Sequence, residues 1–426
     1  MSHPPDRTAS LLERPGAGRT RPCRPSKRVL WICFGLLATS TPALAQDERP
    51  TGYPRSANER DGKPVEFSAV YTAELRANVN GGVEQGARYL DNLDLQVAVD
   101  AERVLGWRGA RLFAYAIYNN GRSLSELAGD FQTISNIETG IRAARLFEAW
   151  IEQDLGGRGS LKAGLYNLNS EFDTTQSGGL FLLSSHGIGP DFSQSGRSGP
   201  SIFPKTSLAL RGEAALDGHW LVRAAILDGV PGDPDHPRRT AIKLSAQDGA
   251  LLVAELNYLR GGTKAGIGTW GYTARFDPIT SSNTPLSGRG NKGAYIFAEH
   301  RLIGDRGDDA AGLAGWLRFG LADARYNPVH RYIGGGLVYS GLSKSRGDDQ
   351  IGLSFALADF GRRYRAAQRN EGVDAGGREI VFEAVYNAVL TSWLSAQPDV
   401  QYIIGPSGNH RVRDAVVIGV RLKIGR

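Results

Sequence analysis

The stretch Leu93–Asp100, with the sequence LDLQVAVD, alternates apolar and polar residues. Successive side chains of an extended strand point to opposite faces, so this stretch has one apolar face and one polar face. The apolar face holds Leu93, Leu95, Val97 and Val99, and the polar face holds Asp94, Gln96 and Asp100. A strand of this kind is typical of a membrane barrel wall whose outside contacts lipid and whose inside contacts water.

The same pattern repeats to the end of the chain, with turns rich in Gly, Asp and Asn, and predicts about sixteen strands, an even number as bacterial membrane barrels require. We place the strands at residues 66–79, 88–103, 109–119, 143–154, 160–168, 205–214, 219–228, 249–260, 263–276, 291–302, 312–326, 332–342, 350–360, 378–390, 393–404 and 413–425. The predicted fold is all-β, a transmembrane antiparallel β-barrel that forms one domain over residues 65–426 after a polar lead at 46–64.

The first 45 residues have the plan of a secretory signal peptide. A cationic region ends at Arg28, an apolar run covers Val29–Ala38, and Ala43-Leu44-Ala45 places small residues before the predicted cleavage point. The apolar run is too short to span a bilayer as a helix, although a retained N-terminal anchor is the alternative. Both cysteines lie in this segment, so the predicted mature chain has no thiol and no cysteine-bound metal.

Charge and hydropathy exclude two classes of protein. Most of the formal charge of +6 comes from residues 1–45, and the remainder is almost balanced without a basic block. We therefore expect no nucleic-acid partner. No run of eighteen apolar residues follows Ala45, which excludes a helical membrane protein and leaves outer-membrane lipid as the expected surroundings of a barrel.

Four longer connections, at residues 121–142, 169–204, 277–290 and 361–377, are expected to be extracellular or folded inward. The longest, Asn169–Pro204, is too apolar to lie free in water. We predict that it folds into the lumen as a constriction loop, to which Phe181, His186 and Asp191 contribute. A surface latch against a neighbouring subunit is the alternative.

Four segments together resemble the OprB-type family of carbohydrate-selective porins. They are RLFEAWIEQ (145–153), LKAGLYNLNSEFD (161–173), GPSIFP (199–204) and TSWLSAQPDVQYI (391–403). The resemblance runs from about Tyr71 to Gly425 and implies a sixteen-stranded outer-membrane barrel of Gram-negative bacteria. It also implies passive diffusion of sugars into the periplasm through a constriction lined by charged and aromatic side chains, and it allows a homotrimer, since trimers are common among porins.

Strand parity selects candidate pore-lining and substrate-binding residues. In the fourth strand, Glu148, Trp150 and Glu152 are predicted to face the lumen, and Phe147, Ala149 and Ile151 to face lipid. The other residues predicted to point inward are Arg111, Lys162, Tyr166, Arg211, Glu213, Glu255, Asn257, Gln397, Asp399, Gln401 and Arg421. Carboxylates and guanidinium groups bind sugar hydroxyls, and aromatic rings cover apolar C–H faces.

Each of these assignments has an alternative. Trp150 would equally suit an interfacial aromatic belt, and any one charge would suit pairing with a neighbour across the lumen. Pro398 cannot donate to a ladder and predicts a bulge or an early strand end.

Other functions have weaker support in the sequence. Ser184, Ser185 and His186 would suit a hydrolase anchored by a barrel, but no Gly-x-Ser-x-Gly elbow accompanies them. The acidic turn Asp228–Asp235 lacks the spacing of a calcium hand, so we expect no metal and no cofactor. A channel for another small polar nutrient, an organic acid or a metal complex, is the main competing function.

Overall fold

The structure is a computed structural model that describes residues 63–279, 288–304, 311–343 and 345–425. It contains a closed antiparallel barrel in which each strand pairs with its sequence neighbours and β1 pairs with β16. The strands are β1 (Val65–Gly82), β2 (Gly86–Asp100), β3 (Ala110–Gly121), β4 (Ala143–Asp154), β5 (Gly159–Tyr166), β6 (Ser207–Ala215), β7 (Trp220–Asp228), β8 (Ala250–Arg260), β9 (Thr263–Tyr272), β10 (Lys292–Ile303), β11 (Gly312–Ala322), β12 (Val329–Ser340), β13 (Gln350–Phe360), β14 (Arg378–Thr391), β15 (Leu394–Ile404) and β16 (Arg413–Gly425).

The described helices are short and lie in the connections. The α-helices are α1 (Ala101–Leu105), α2 (Ser125–Ala128), α3 (Pro190–Ser193) and α4 (Arg362–Asn370), and the 3-10 turns are Leu168–Ser170, Ser177–Leu180, Ser184–His186 and Pro406–Gly408. Within the described ranges, none of the helices has the length and apolar character needed to cross a membrane. The predicted signal peptide, the lead up to residue 62 and part of the predicted 277–290 loop lie outside the described residues.

The predicted sixteen-stranded barrel is confirmed, and the bounds of β4, β13 and β16 agree with the alternation pattern. The pattern extends β2 three residues too far, because the strand ends where Asp100 begins α1. The Asp100 side chain accepts hydrogen bonds from the backbone N–H groups of Glu102 and Arg103, as an N-cap does. Gly106, at a φ of 73°, then ends the helix in the left-handed conformation.

The prediction of a bulge or an early strand end at Pro398 was wrong. Pro398 lies inside β15 and keeps its register opposite Val420. On the other side, the pairing with β14 skips from Val385↔Asp399 to Ala388↔Ala396 without a register shift. The missing N–H of proline therefore leaves a short gap in one ladder, while the strand continues.

The prediction that Phe147 faces lipid was also wrong. Tyr115 of β3 pairs with Glu148, whereas Ala116 pairs with Leu146, so Phe147 is the extra residue of a β-bulge. Its side chain is 3% exposed, and its ring meets that of Tyr115 edge-on with 5.1 Å between the centroids. Both Phe147 and Glu148 consequently lie on the inner side of the wall.

Two long connections at one end of the barrel fold inward. We call residues 167–206, between β5 and β6, the inward loop; it carries α3 and three 3-10 turns. Phe192 of this loop stacks on Trp270 of β9 with 4.9 Å between ring centroids. The apolar core therefore lies between the inward loop and strands β7–β10, while large apolar side chains such as Phe67 and Leu353 remain exposed on the outer face.

Candidate functional site

The inward loop is attached to the wall by glutamates that accept hydrogen bonds from its backbone. Glu299 of β10 accepts from the N–H groups of Gln176 and Ser177, at 2.9 and 3.0 Å. Glu383 of β14 accepts from those of residues 182–183, at 2.6 and 3.2 Å. These bonds satisfy loop N–H groups that have no strand partner, so the loop is fixed against the far side of the lumen.

A second attachment joins β8, β10 and β11 to the loop. The Arg318 guanidinium pairs with Asp173, at 2.6 Å, and with Asp191 of α3. Glu255 accepts from the Asp173 N–H at 2.7 Å and from the Tyr295 hydroxyl at 2.6 Å. Burial raises the pKa of Asp191, although the charge of Arg318 opposes that effect.

The connection between β3 and β4, residues 122–142, also enters the lumen. Arg76 of β1 and Gln401 of β15 both donate to the Ile134 carbonyl, at 3.1 and 2.9 Å. Arg421 of β16 donates to the side-chain oxygen of Asn136 at 2.6 Å. Two connections therefore narrow the barrel, each fixed by inward side chains of the wall.

A network of charges surrounds Glu171 of the inward loop. Lys162 lies 2.7 Å from one carboxylate oxygen, and the Arg211 Nε lies 2.8 Å from the other, which also accepts from Tyr166 at 2.5 Å. Arg211 extends the network to Glu152 at 2.7 Å. Burial alone would raise the pKa of Glu171, but the neighbouring cations hold it below its usual range.

Trp150 lies beside this network on the inner face of β4. Its ring stacks on Phe113 of β3 with 4.9 Å between centroids, and the Lys162 ammonium lies 4.1 Å from its own centroid. The indole N–H donates to Glu148 at 3.1 Å, and Glu148 also accepts from the Asn167 N–H. Trp150 remains partly exposed, whereas Glu148 and Lys162 are buried. The ring therefore offers accessible aromatic surface next to fixed charges.

The other predicted pore-lining residues are separated from this group. Asp399 pairs with Arg76, Arg421 pairs with Glu74, and Gln397 donates to the Leu180 carbonyl of the inward loop. These three predicted residues are buried against loops and neighbouring strands. Their contact with a solute stays a prediction.

Arg111 lies apart, near the end of the barrel with short connections. It is exposed, and it stands opposite Asp100 of β2 and Glu152 of β4 in the two ladders.

His186 and Phe181, predicted for the constriction, lie where the inward loop meets β11–β14. The His186 Nε2 lies 2.9 Å from the Ser354 hydroxyl and 3.8 Å from Glu383. Its Nδ1 has no hydrogen-bond partner within the described part of the chain, whereas a catalytic triad needs an acid at that nitrogen. Burial lowers the pKa of His186 to about 3, so the ring is neutral at pH 7.

The acidic turn after β7 contains ion pairs. Lys243 contacts Asp233 at 3.1 Å and Asp235 at 3.2 Å, and His236 contacts Asp233 at 2.7 Å. Among the described residues there is no cluster of His, Cys, Asp and Glu suited to a metal ion.

Sequence reasoning missed the loop acids and several of their partners. Parity would have placed Arg223 and Arg318 inward, because each has a strictly alternating strand around it. Glu171 and Asp173 stand next to the buried Phe172, and acids in such an apolar segment need buried cations. That signal was available, but the pairing itself depends on where the loop folds.

Comparison with known proteins identifies the family. A family model described as "Carbohydrate-selective porin, OprB family" matches residues 84–425. Porin B of Pseudomonas aeruginosa is 26% identical over 405 residues, which cover 85% of this chain and 87% of that protein.

Two solved structures of Pseudomonas putida OprB are similar in fold. The high-pH structure has a TM-score of 0.75 at 21% identity, and covers 85% of this chain and 94% of that one. The low-pH structure has a TM-score of 0.56 at 19% identity, and covers 85% and 93%. With the family match over most of its length, this chain belongs to the OprB family of carbohydrate-selective porins, and it is a Gram-negative outer-membrane channel for sugars.

Proposed function

We propose that sugars diffuse passively through this porin along the inner face of β2–β4 and make their selective contacts around Trp150. The observation that carries the proposal is an aromatic row formed by Phe113, Tyr115 and Trp150. Phe113 stacks on Trp150 and meets Tyr115 edge-on at 6.3 Å between centroids, and all three rings are partly exposed. The facing side of the lumen, by contrast, is occupied by the inward loop.

The chemistry of this row suits a neutral sugar. A pyranose has an apolar C–H face that an aromatic ring covers and a rim of hydroxyl groups that carboxylates and amines bind. Glu148 and Lys162 lie next to the ring of Trp150, and Asp94 accepts from the Tyr115 hydroxyl at 2.6 Å. Each aromatic surface therefore has a charged hydrogen-bonding group beside it.

The pairing of these charges favours weak and reversible binding. Lys162 and Arg211 are neutralised by Glu152 and Glu171, so a passing ion meets little net charge. Conduction requires that a solute leave as readily as it enters, which tight binding would prevent. The arrangement supports a sugar channel over a channel for organic acids, and we propose no catalytic role for His186.

Sugar block of ion current tests the proposal. Glucose titrated against the protein in a planar bilayer should reduce the current with weak affinity. The variant W150L should weaken that block roughly three- to tenfold, because an aromatic contact contributes about 0.5–1.5 kcal/mol beyond area burial. The control W393L removes an exposed tryptophan at the turn between β14 and β15 and should leave the block unchanged. Equal block in W150L and the wild type would remove Trp150 from the sugar path.

A further inference from the structure

The barrel wall has an unpaired edge on β4. This strand pairs with β5 only over Ala149–Asp154, so its first half has no strand on that side. The connection between β7 and β8 covers the edge. Within it, Thr240 uses its hydroxyl to accept from the Leu146 N–H at 2.6 Å and to donate to the Leu146 carbonyl at 3.0 Å. We call residues 236–246 of this connection the strap.

Three cations line a pocket between the strap and β4. They are Arg145, Lys205 and Arg239. Arg145 donates to two uncharged groups, the Pro237 carbonyl and the Asn119 side chain. Across the described ranges, none of the three cations forms an ion pair, and the pocket's one carboxylate, Asp233, already contacts a lysine and a histidine.

The pocket therefore carries excess positive charge. Burial and the nearby charge of Arg145 lower the pKa of Lys205, as expected for cations crowded together without an acid. An anion entering the pocket would relieve that repulsion.

An apolar groove continues from the pocket down the outer face of the barrel. It has a volume of about 590 Å³ and is lined by Leu210 and Ile226 of the wall and by Leu244 of the strap. Leu210 and Ile226 stand opposite each other on the face away from Arg211, and so point outward. They are 51% and 48% exposed, and Leu244 is 66% exposed.

Pocket and groove share the strap, and their spacing fits one molecule. Residues 239–241 line the pocket and residues 244–246 line the groove. Extended residues three apart are separated by about 10 Å, which is within the reach of a single lipid. A phosphate in the pocket would place an attached acyl chain along the groove.

We infer that the strap binds one anionic lipid, with its phosphate held by Arg145, Lys205 and Arg239 and an acyl chain in the groove beneath Leu244. The charge of the pocket requires an anion, and the exposed apolar lining of the groove requires a hydrocarbon. The outer face of a membrane barrel meets molecules that carry both. The bound lipid seals the wall where β4 lacks a strand partner.

Native mass spectrometry of the full chain in detergent tests this inference. Dioleoyl phosphatidylglycerol should bind in a one-to-one complex more tightly than dioleoyl phosphatidylcholine, which has the same chains without net charge. The double variant K205Q/R239Q should weaken phosphatidylglycerol binding roughly thirtyfold, because a cation near an anionic lipid contributes about 1 kcal/mol. R362Q/R411Q, which removes two exposed arginines from other connections at the same end, is the matched control and should bind normally.

A second variant tests the groove separately. L244N alters only the strap's exposed apolar side chain and should weaken the binding of dioleoyl phosphatidylglycerol more than that of its dihexanoyl analogue. Circular dichroism of each variant checks that the barrel is folded. The inference is overturned if both dioleoyl lipids bind equally, if K205Q/R239Q binds like its control, or if inorganic phosphate binds the pocket while chain length has no effect.

Discussion

Single residues in this porin have roles that depend on their partners more than on their direction. Glu148, Glu152, Lys162 and Arg211 all lie on the inner face, as strand parity predicts. Glu148 accepts hydrogen bonds from an indole and a backbone amide, whereas the other three join the network around Glu171. Parity reports the side of the wall, because charge on the lipid side is costly, but it contains no information about which loop atom lies opposite.

His186 supports a prediction at this scale. The unfolded chain has an ordinary histidine pKa near 6.5, whereas burial lowers the folded value to about 3. Between these values the unfolded state binds a proton that the folded state does not bind. The contribution of His186 to stability is therefore complete above about pH 6.5 and is lost as the pH falls toward 3.

Urea unfolding in lipid micelles at pH 6.5 and pH 4.5 measures this effect. The unfolding equilibrium constant should rise roughly a hundredfold more in the wild type than in H186Q, since each pH unit in that window corresponds to a factor of about ten. H219Q, which removes an exposed histidine from the turn between β6 and β7, should behave as the wild type. Equal pH dependence in H186Q and the wild type would show that His186 does not titrate as a buried neutral group.

At the scale of elements, the inward loop decides the width of the channel, and its position rests on a few wall carboxylates. Glu299 and Glu383 each accept two loop N–H groups. Hydrogen bonds to charged groups contribute about 1.5–3 kcal/mol each, so these two residues account for much of the attachment. The loop is also closely packed, with Phe192 against Trp270.

Neutralising both carboxylates should release part of the loop. The double variant E299Q/E383Q is expected to show higher single-channel conductance and more current noise, because amides hold the loop N–H groups less strongly. E126Q/E371Q makes the same change at two exposed positions and serves as the control. Conductance and noise at wild-type levels in E299Q/E383Q would mean that packing alone fixes the loop.

The alternation pattern located the strands well and failed where an element is irregular. It could not find the bulge at Phe147, because an extra residue changes parity without changing composition. It could not tell that β2 gives way to α1 at Asp100, since Val104 and Leu105 continue the apolar content beyond the strand. The apolar character of residues 169–204 did predict an inward loop, because such a segment needs cover.

For the whole molecule, the closed barrel leaves its apolar side chains on the outside and its charges on the inside. That distribution follows from the alternation in nearly every strand, which is why the fold was accessible from sequence. The positions of the two inward connections depend on contacts between distant residues, such as Arg318 with Asp173, and local patterns do not encode them.

Export makes a further prediction at this scale. If residues 1–45 are a cleaved signal peptide, the protein purified from outer membranes should begin at Gln46, since Ala43 and Ala45 occupy the two positions that signal peptidase recognises. Intact-mass analysis and N-terminal sequencing measure this directly. A mature N-terminus upstream of Ala38 would contradict the assignment.

Solute entry into proteoliposomes tests the sugar-selective channel most directly. Swelling rates in isotonic glucose and in isotonic gluconate compare a neutral sugar with an acid of similar size. We predict faster swelling in glucose, because the paired charges around Trp150 offer hydrogen bonds and an aromatic surface but little attraction for an anion. Equal rates, or faster entry of gluconate, would contradict sugar selectivity, and no swelling in either solute would contradict an open channel.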